Sequence, residues 1–193
     1  GVQMGIYLNP DSSRFEEAVN SDIYIDKTGL LNYTNSVLHT MQKYICISRP
    51  RRFGKSIAAN MLAAYYSRGC ETRKLFETFE IAESDTFEKY LNQYNTILIN
   101  MQEMLSRSNN VQELVERCQK LIIRELKSEY PDVDYFDEED LTLCMQDVYA
   151  QKKQTFVIII DEWVCIFREY KTDKEAQKKY LDFLRDLLKD KAY

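Results

Sequence analysis

Glycine and proline are scarce, at five and three in 193 residues, and histidine and tryptophan occur once each. So little glycine and proline excludes a collagen-like repeat, a flexible linker or a low-complexity tail. One histidine, with no Cys-x-x-Cys pair, leaves too few clustered ligands for a structural zinc site. The five cysteines (Cys46, Cys70, Cys118, Cys144, Cys165) are scattered and odd in number, the pattern of free buried thiols in a reducing cytoplasm. No secretory leader is recognisable, and the longest wholly apolar run, Phe156 to Ile160, is far too short to cross a bilayer. The expectation is a cytoplasmic protein with no membrane partner. A net charge of −5 and a pI near 5.1 argue against a surface that grips nucleic acid or anionic lipid as a whole. Phosphate binding needs a local basic cluster.

What is present reads as a single α/β unit. Residues 1–20 are polar and weakly patterned, and Ile23-Tyr24-Ile25 is a short β-prone run. Leu30, Leu31, Tyr33 and Leu38 mark a helix with Asp26 or Thr28 as its cap. Tyr44 to Ser48 is a strand candidate, and Ile57, Met61, Leu62 and Tyr65 give a helix stopping near Gly69. A second buried strand spans 95–101. A long helix follows from Val111 to Leu126, then a shorter one over Glu138 to Ala150, and Tyr180 to Leu188 carries a last amphipathic helix. Lys171 to Lys179 reads as a solvated helix face. Phe156 to Ile160 is the most strand-like segment, its near-continuous β-branched run suiting a strand covered on both faces. Strands alternating with helices imply a parallel sheet. The expected division is an amino-terminal appendage, 1–40, on a core, 41–193.

The strongest chemical signal is Arg49-Pro50-Arg51-Arg52-Phe53-Gly54-Lys55-Ser56 between the first strand and its helix. It fits the phosphate-loop pattern G-x-x-x-x-G-K-[ST] except at the first position, where Arg49 stands for glycine. Gly54 permits the tight path that turns successive N–H groups inward, and the helix opening at Ile57 directs its positive end at the anion. Lys55 suits β- and γ-phosphates, and the Ser56 hydroxyl is a hard oxygen ligand for Mg²⁺. Arg49-Pro50 supplies extended backbone, hence a turn without glycine. Arg51 and Arg52 are phosphate contacts or solvated arginines, and Phe53 is more a packing anchor than a base-stacking residue.

The second signal is the apolar strand ending in Asp161-Glu162, a Walker-B-like element that presents Asp161 to Mg²⁺ and Glu162 as water-activating base. Asp26-Lys27-Thr28 reads equally as a helix cap or part of a nucleotide pocket. Tyr65 and Tyr66 read as half-buried with wet hydroxyls, Trp163 and Phe167 as packed under the sheet, and His39 has no assignable role.

Tyr24-Ile25-Asp26-Lys27-Thr28, the string from Ser48 to Ser56, Met61-Leu62-Ala63-Ala64-Tyr65-Tyr66 and Ile160-Asp161-Glu162-Trp163 together make the chain resemble the bacterial AAA-ATPase-like family. The resemblance implies a three-layer P-loop NTPase core and ATP with Mg²⁺ as cofactors. Lys55 and Ser56 would serve as phosphate and metal residues, Asp161 as the second metal-side acid and Glu162 as the base. An arginine in the first loop position is normal in that family. Members often carry a restriction-endonuclease-like nuclease domain after the ATPase region, which makes nucleic acid a further expected partner. The resemblance also implies a sensor strand beyond Tyr193, expected between the two motif strands. On that expectation the chain is an amino-terminal fragment of a longer protein, its motif strands flank an unfilled slot, and the open edge is a place for self-association. Two other functions compete: a nucleotide-sensing switch without turnover, and a basic loop that binds nucleic-acid phosphates. No guanine-reading Asn-Lys-x-Asp motif occurs, so ATP over GTP rests on the resemblance.

Overall fold

A computed structural model describes residues 5–21, 24–40, 43–48, 57–189 and 193. The helices are α1 (Ser13–Val19), α2 (Leu30–His39), α3 (Ile57–Tyr66), α4 (Arg73–Phe76), α5 (Phe87–Tyr90), α6 (Met101–Ser106), α7 (Val111–Glu129), α8 (Leu141–Lys152), α9 (Cys165–Glu169) and α10 (Lys174–Leu188), with a 3-10 turn over Glu80–Glu83. Three strands, β1 (Tyr44–Ile47), β2 (Asn95–Asn100) and β3 (Phe156–Asp161), form one parallel sheet in the order β1-β3-β2.

β3 explains the architecture. Side chains alternate across a strand, so Phe156, Ile158 and Ile160 face one way and Val157 and Ile159 the other. The first set joins a core with α6, α7, α8, α9 and α10. The second joins a core built on α1, α2 and α3. Helices on both faces give the three-layer α/β arrangement that the β-branched run predicts. α3 is buried on nearly its whole circumference: Ala58, Ala59, Met61, Leu62, Ala63, Ala64, Tyr65 and Tyr66 are all covered, as expected of a helix apolar all round. α7 buries a single stripe, Val111, Leu114, Cys118, Ile122, Ile123 and Leu126, each large apolar side chain contributing about 1.5–3 kcal/mol.

The slot expected between the motif strands does not exist. β1 pairs directly with β3, Tyr44 opposite Ile158 and Ile47 opposite Asp161, while β2 pairs along the other edge of β3, Asn100 opposite Asp161. The physical reason is the demand of β3 itself: a strand buried at all six positions must have the N–H and C=O groups of both edges paired, and β1 and β2 satisfy them.

Other differences are local. α8 starts at Leu141 because the Asp140 side chain accepts the Leu143 N–H at 3.1 Å and so fixes the cap there. α10 starts at Lys174, where Asp173 accepts the Ala176 N–H at 3.0 Å. Gly29, not Asp26 or Thr28, occupies the cap position of α2. Tyr24 and Ile25 lie in no strand. The segment read as weakly patterned holds α1 and a strap: the Asn9 N–H donates to Thr96 O at 2.7 Å and the Leu98 N–H to Tyr7 O at 2.9 Å, along the outer edge of β2. Glu125 of α7 fastens the strap by accepting the N–H groups of Tyr7 and Leu8, both at 3.0 Å. Gly5 is required there, since a Cβ would collide with the Leu8 carbonyl oxygen as well as with the Glu125 carboxylate. Four cysteines are buried as expected, but Cys46 is exposed on β1.

Candidate active site

Parallel strands bring their carboxyl ends to one side of a sheet, where ligands of open α/β folds bind. Here Ile47, Asp161 and Asn100 stand level at that side. Arg49, Pro50, Arg51, Arg52, Phe53, Gly54, Lys55 and Ser56 lie outside the described residues. The chain on either side of them is β1, which ends beside Asp161, and α3, which opens at the 41% exposed Ile57.

Asp161 is 1% exposed. One carboxylate oxygen, Oδ1, accepts the Glu162 N–H at 3.0 Å. The other, Oδ2, is buried and finds no hydrogen-bond partner among the described residues. An uncompensated buried polar atom costs about 1–3 kcal/mol, more when charged, so Oδ2 calls for a cation or a donor from outside the described residues. A carboxylate oxygen is a hard ligand of the type that Mg²⁺ takes, and the donor fits that ion.

Glu162 leaves the strand in the left-handed region, with φ of 58°, a conformation uncommon for residues with a Cβ and one that clusters at functional sites. The bend is held on both sides. The Trp163 N–H reaches Ile47 O at 3.5 Å, and Tyr180 of α10 donates its hydroxyl to Trp163 O at 2.6 Å. Burial pushes the Tyr180 phenol well above its ordinary range, keeping it a donor. Trp163 and Phe167 meet edge to face with centroids 6.2 Å apart, and both pack against the core under the sheet as expected. The Glu162 side chain, 16% exposed, accepts from Arg168 Nη2 at 3.0 Å through Oε2.

Asn100, level with Asp161, spends its side chain on capping α6, accepting the Glu103 N–H at 3.1 Å. Neither Asn100 nor Arg168 was singled out by sequence reasoning. Asn100 carried a usable signal, a polar residue at the end of an apolar strand; Arg168 sits on a five-residue helix too short to show a period.

Asp26 is structural. It accepts the N–H and hydroxyl of Thr28 at 2.8 and 2.7 Å and the Glu80 N–H at 2.9 Å. Thr28 is buried, and its hydroxyl accepts the Ile81 N–H at 3.2 Å. Burial works against the Asp26 carboxylate, but these hydrogen bonds hold its pKa below the ordinary value. The tyrosine pair is structural too, and drier than expected. Tyr65 donates to Phe87 O at 2.8 Å and Tyr66 to Asn35 Oδ1 at 2.7 Å, both rings fully buried.

The model of the AAA-ATPase-like family, described as predicted AAA-ATPases, matches residues 13–191. The chain belongs to this family. Membership in the AAA-ATPase-like family supports a general nucleotide-binding, ATPase-like role, and the match spans both motif strands and the bend after β3. No curated protein and no solved structure matches the chain significantly. Among the described residues of this AAA-ATPase-like chain, no helix is long and apolar enough to cross a membrane.

Proposed function

We propose that the chain binds ATP together with Mg²⁺ at the carboxyl ends of β1 and β3 and hydrolyses it. The observation that carries this reading is the buried Asp161 carboxylate, one oxygen unpartnered among the described residues, directly beside the strand that leads into residues 49–56. On this reading Lys55 and the loop N–H groups hold the phosphates. Ser56 and Asp161 hold the metal, and Glu162 orients the attacking water and takes its proton. A Mg²⁺ ion held by Ser56 and Asp161 would supply positive charge to offset that of the phosphates. Arg49, Arg51 and Arg52 add local positive potential to a chain of net charge −5.

ATP titration by calorimetry, with and without Mg²⁺, tests the reading on the wild type, Lys55→Ala and Asp161→Asn. Lys55→Ala is expected to weaken binding by about tenfold or more, the worth of one charge-assisted contact of 1.5–3 kcal/mol. Asp161→Asn is expected to lose the Mg²⁺-dependent share of affinity. Unchanged affinity in both variants overturns the proposal.

A further inference from the structure

Glu162 cannot orient water unless its carboxylate is itself fixed, and a strained bend on a short turn does not fix a side chain with three rotatable bonds. Among the described residues, one group does. Arg168 lies on α9, the short helix that begins just after the bend, and is itself 40% exposed. Its Nη2 meets Glu162 Oε2 at 3.0 Å. The contact is one-handed: Oε1 has no partner among the described residues, so one oxygen is tied and the other remains able to accept from water. A planar guanidinium with fixed donors imposes an orientation in a way that a flexible ammonium does less well. The frame behind Arg168 is firm. The Cys165 N–H returns to Glu162 O at 3.2 Å, the Phe167 N–H bonds Val164 O at 3.0 Å, and Cys165 and Ile166 are buried in the core beneath.

We infer that Arg168 is a positioning residue: it pins one oxygen of Glu162 and thereby aims the other at the nucleophilic water. The inference rests on the proposed role of Glu162 as the water-orienting base. It assigns Arg168 no contact with nucleotide or metal, which separates its predicted phenotype from that of a phosphate-binding arginine: turnover changes, binding does not.

The test compares wild type, Arg168→Ala, Arg168→Lys, Glu162→Gln and the Glu162→Gln/Arg168→Ala double variant. Steady-state ATP turnover, ATP affinity and melting temperature are measured, together with acrylamide quenching of Trp163, the only tryptophan of the chain and the neighbour of Glu162. Arg168→Ala is expected to lower kcat by about tenfold to a hundredfold, the upper figure being the cost of a catalytic group misplaced by about 1 Å, with ATP affinity within about twofold and an unchanged melting temperature. Arg168→Lys recovers part of the loss. In the Glu162→Gln background the same change has no further effect on turnover, and quenching of Trp163 rises once Arg168 is gone. Turnover that is unchanged or raised in Arg168→Ala, an equal loss in both backgrounds, or a loss that appears in affinity and not in kcat overturns the inference. Full turnover in Glu162→Gln alone identifies the failure as that of the underlying reading, and overturns this one with it.

Discussion

At the amino ends of the strands, Asn95 opens β2 fully buried, and every polar group around it is matched. It accepts from Asn9 Nδ2 at 3.0 Å and donates to Tyr130 Oη at 2.9 Å. Asn9 Oδ1 in turn takes the Thr96 N–H at 2.8 Å and the Ser67 hydroxyl at 3.2 Å, while Arg68 reaches Tyr130 Oη at 3.0 Å. At the carboxyl ends, Asp161 is buried to the same degree, yet one oxygen has no partner among the described residues and its successor is left-handed. Among the described residues, the same sheet thus carries a satisfied polar network at one end and, at the other, a carboxylate oxygen without a partner followed by a strained bend. A satisfied network stabilises; a buried oxygen left without a partner costs stability until a cation or donor reaches it.

The contrast is broken most forcefully at its satisfied end. Asn95→Ala strands Asn9 Nδ2 and removes a partner of Tyr130 in a dry interior, so urea denaturation is expected to show a loss of about 2–3 kcal/mol. A loss below about 0.5 kcal/mol means the network carries no stability and the comparison fails. At the other end the sign reverses. Asp161→Asn replaces the buried carboxylate by a neutral amide of the same shape and is expected to raise the stability of the nucleotide-free protein by about 1 kcal/mol while removing the proposed metal ligand. A destabilised variant shows that Oδ2 is already compensated.

The smallest effect is a pH dependence. The Tyr65 hydroxyl on α3 lies outside the Asn95 network but is satisfied as well, accepting from Asn35 and donating to Phe87 O, and burial pushes its phenol up to about 12, partly offset by the hydrogen bond to Asn35. The unfolded chain releases that proton near pH 10 and the folded one does not, so this contribution is fully present below pH 10 and is lost as the pH rises towards 12. Tyr65→Phe is expected to flatten the alkaline limb of the stability profile, at about 0.5–1 kcal/mol of lost hydrogen bonding near neutral pH. An alkaline limb as steep as in the wild type assigns that loss to other tyrosines.

Much of this arrangement was legible in residue patterns, because the patterns are local. β3 declares itself by five consecutive apolar residues, α7 by a stripe at helical spacing, and β1 and β2 by short β-branched runs flanked by polar residues. α4, α5, α6 and α9 are too short to show a period, and tertiary packing decides them. The strap over residues 7–9 has no pattern of its own because a glutamate more than a hundred residues away holds it. Strand order is likewise a long-range property, and the requirement of β3 for partners on both edges overrode the slot expected from resemblance. Within the candidate site, Asp161 and Glu162 were readable from their place at a strand's end. The link from Glu162 to Arg168 was not, since it depends on how the chain from Glu162 to Arg168 folds back in space.

The strap also makes the sheet's two flanks unlike. Tyr7 to Asn9 already occupy the outer backbone row of β2, so a foreign chain finds nothing to zip onto there, and edge-to-edge aggregation is blocked on that flank. Among the described strands, β1 is the terminal one on the opposite flank, and it is the strand that leads into the basic residues 49–56. Its last residue, Ile47, lies opposite Asp161, so the strand that enters the basic segment shares its final rung with the candidate site.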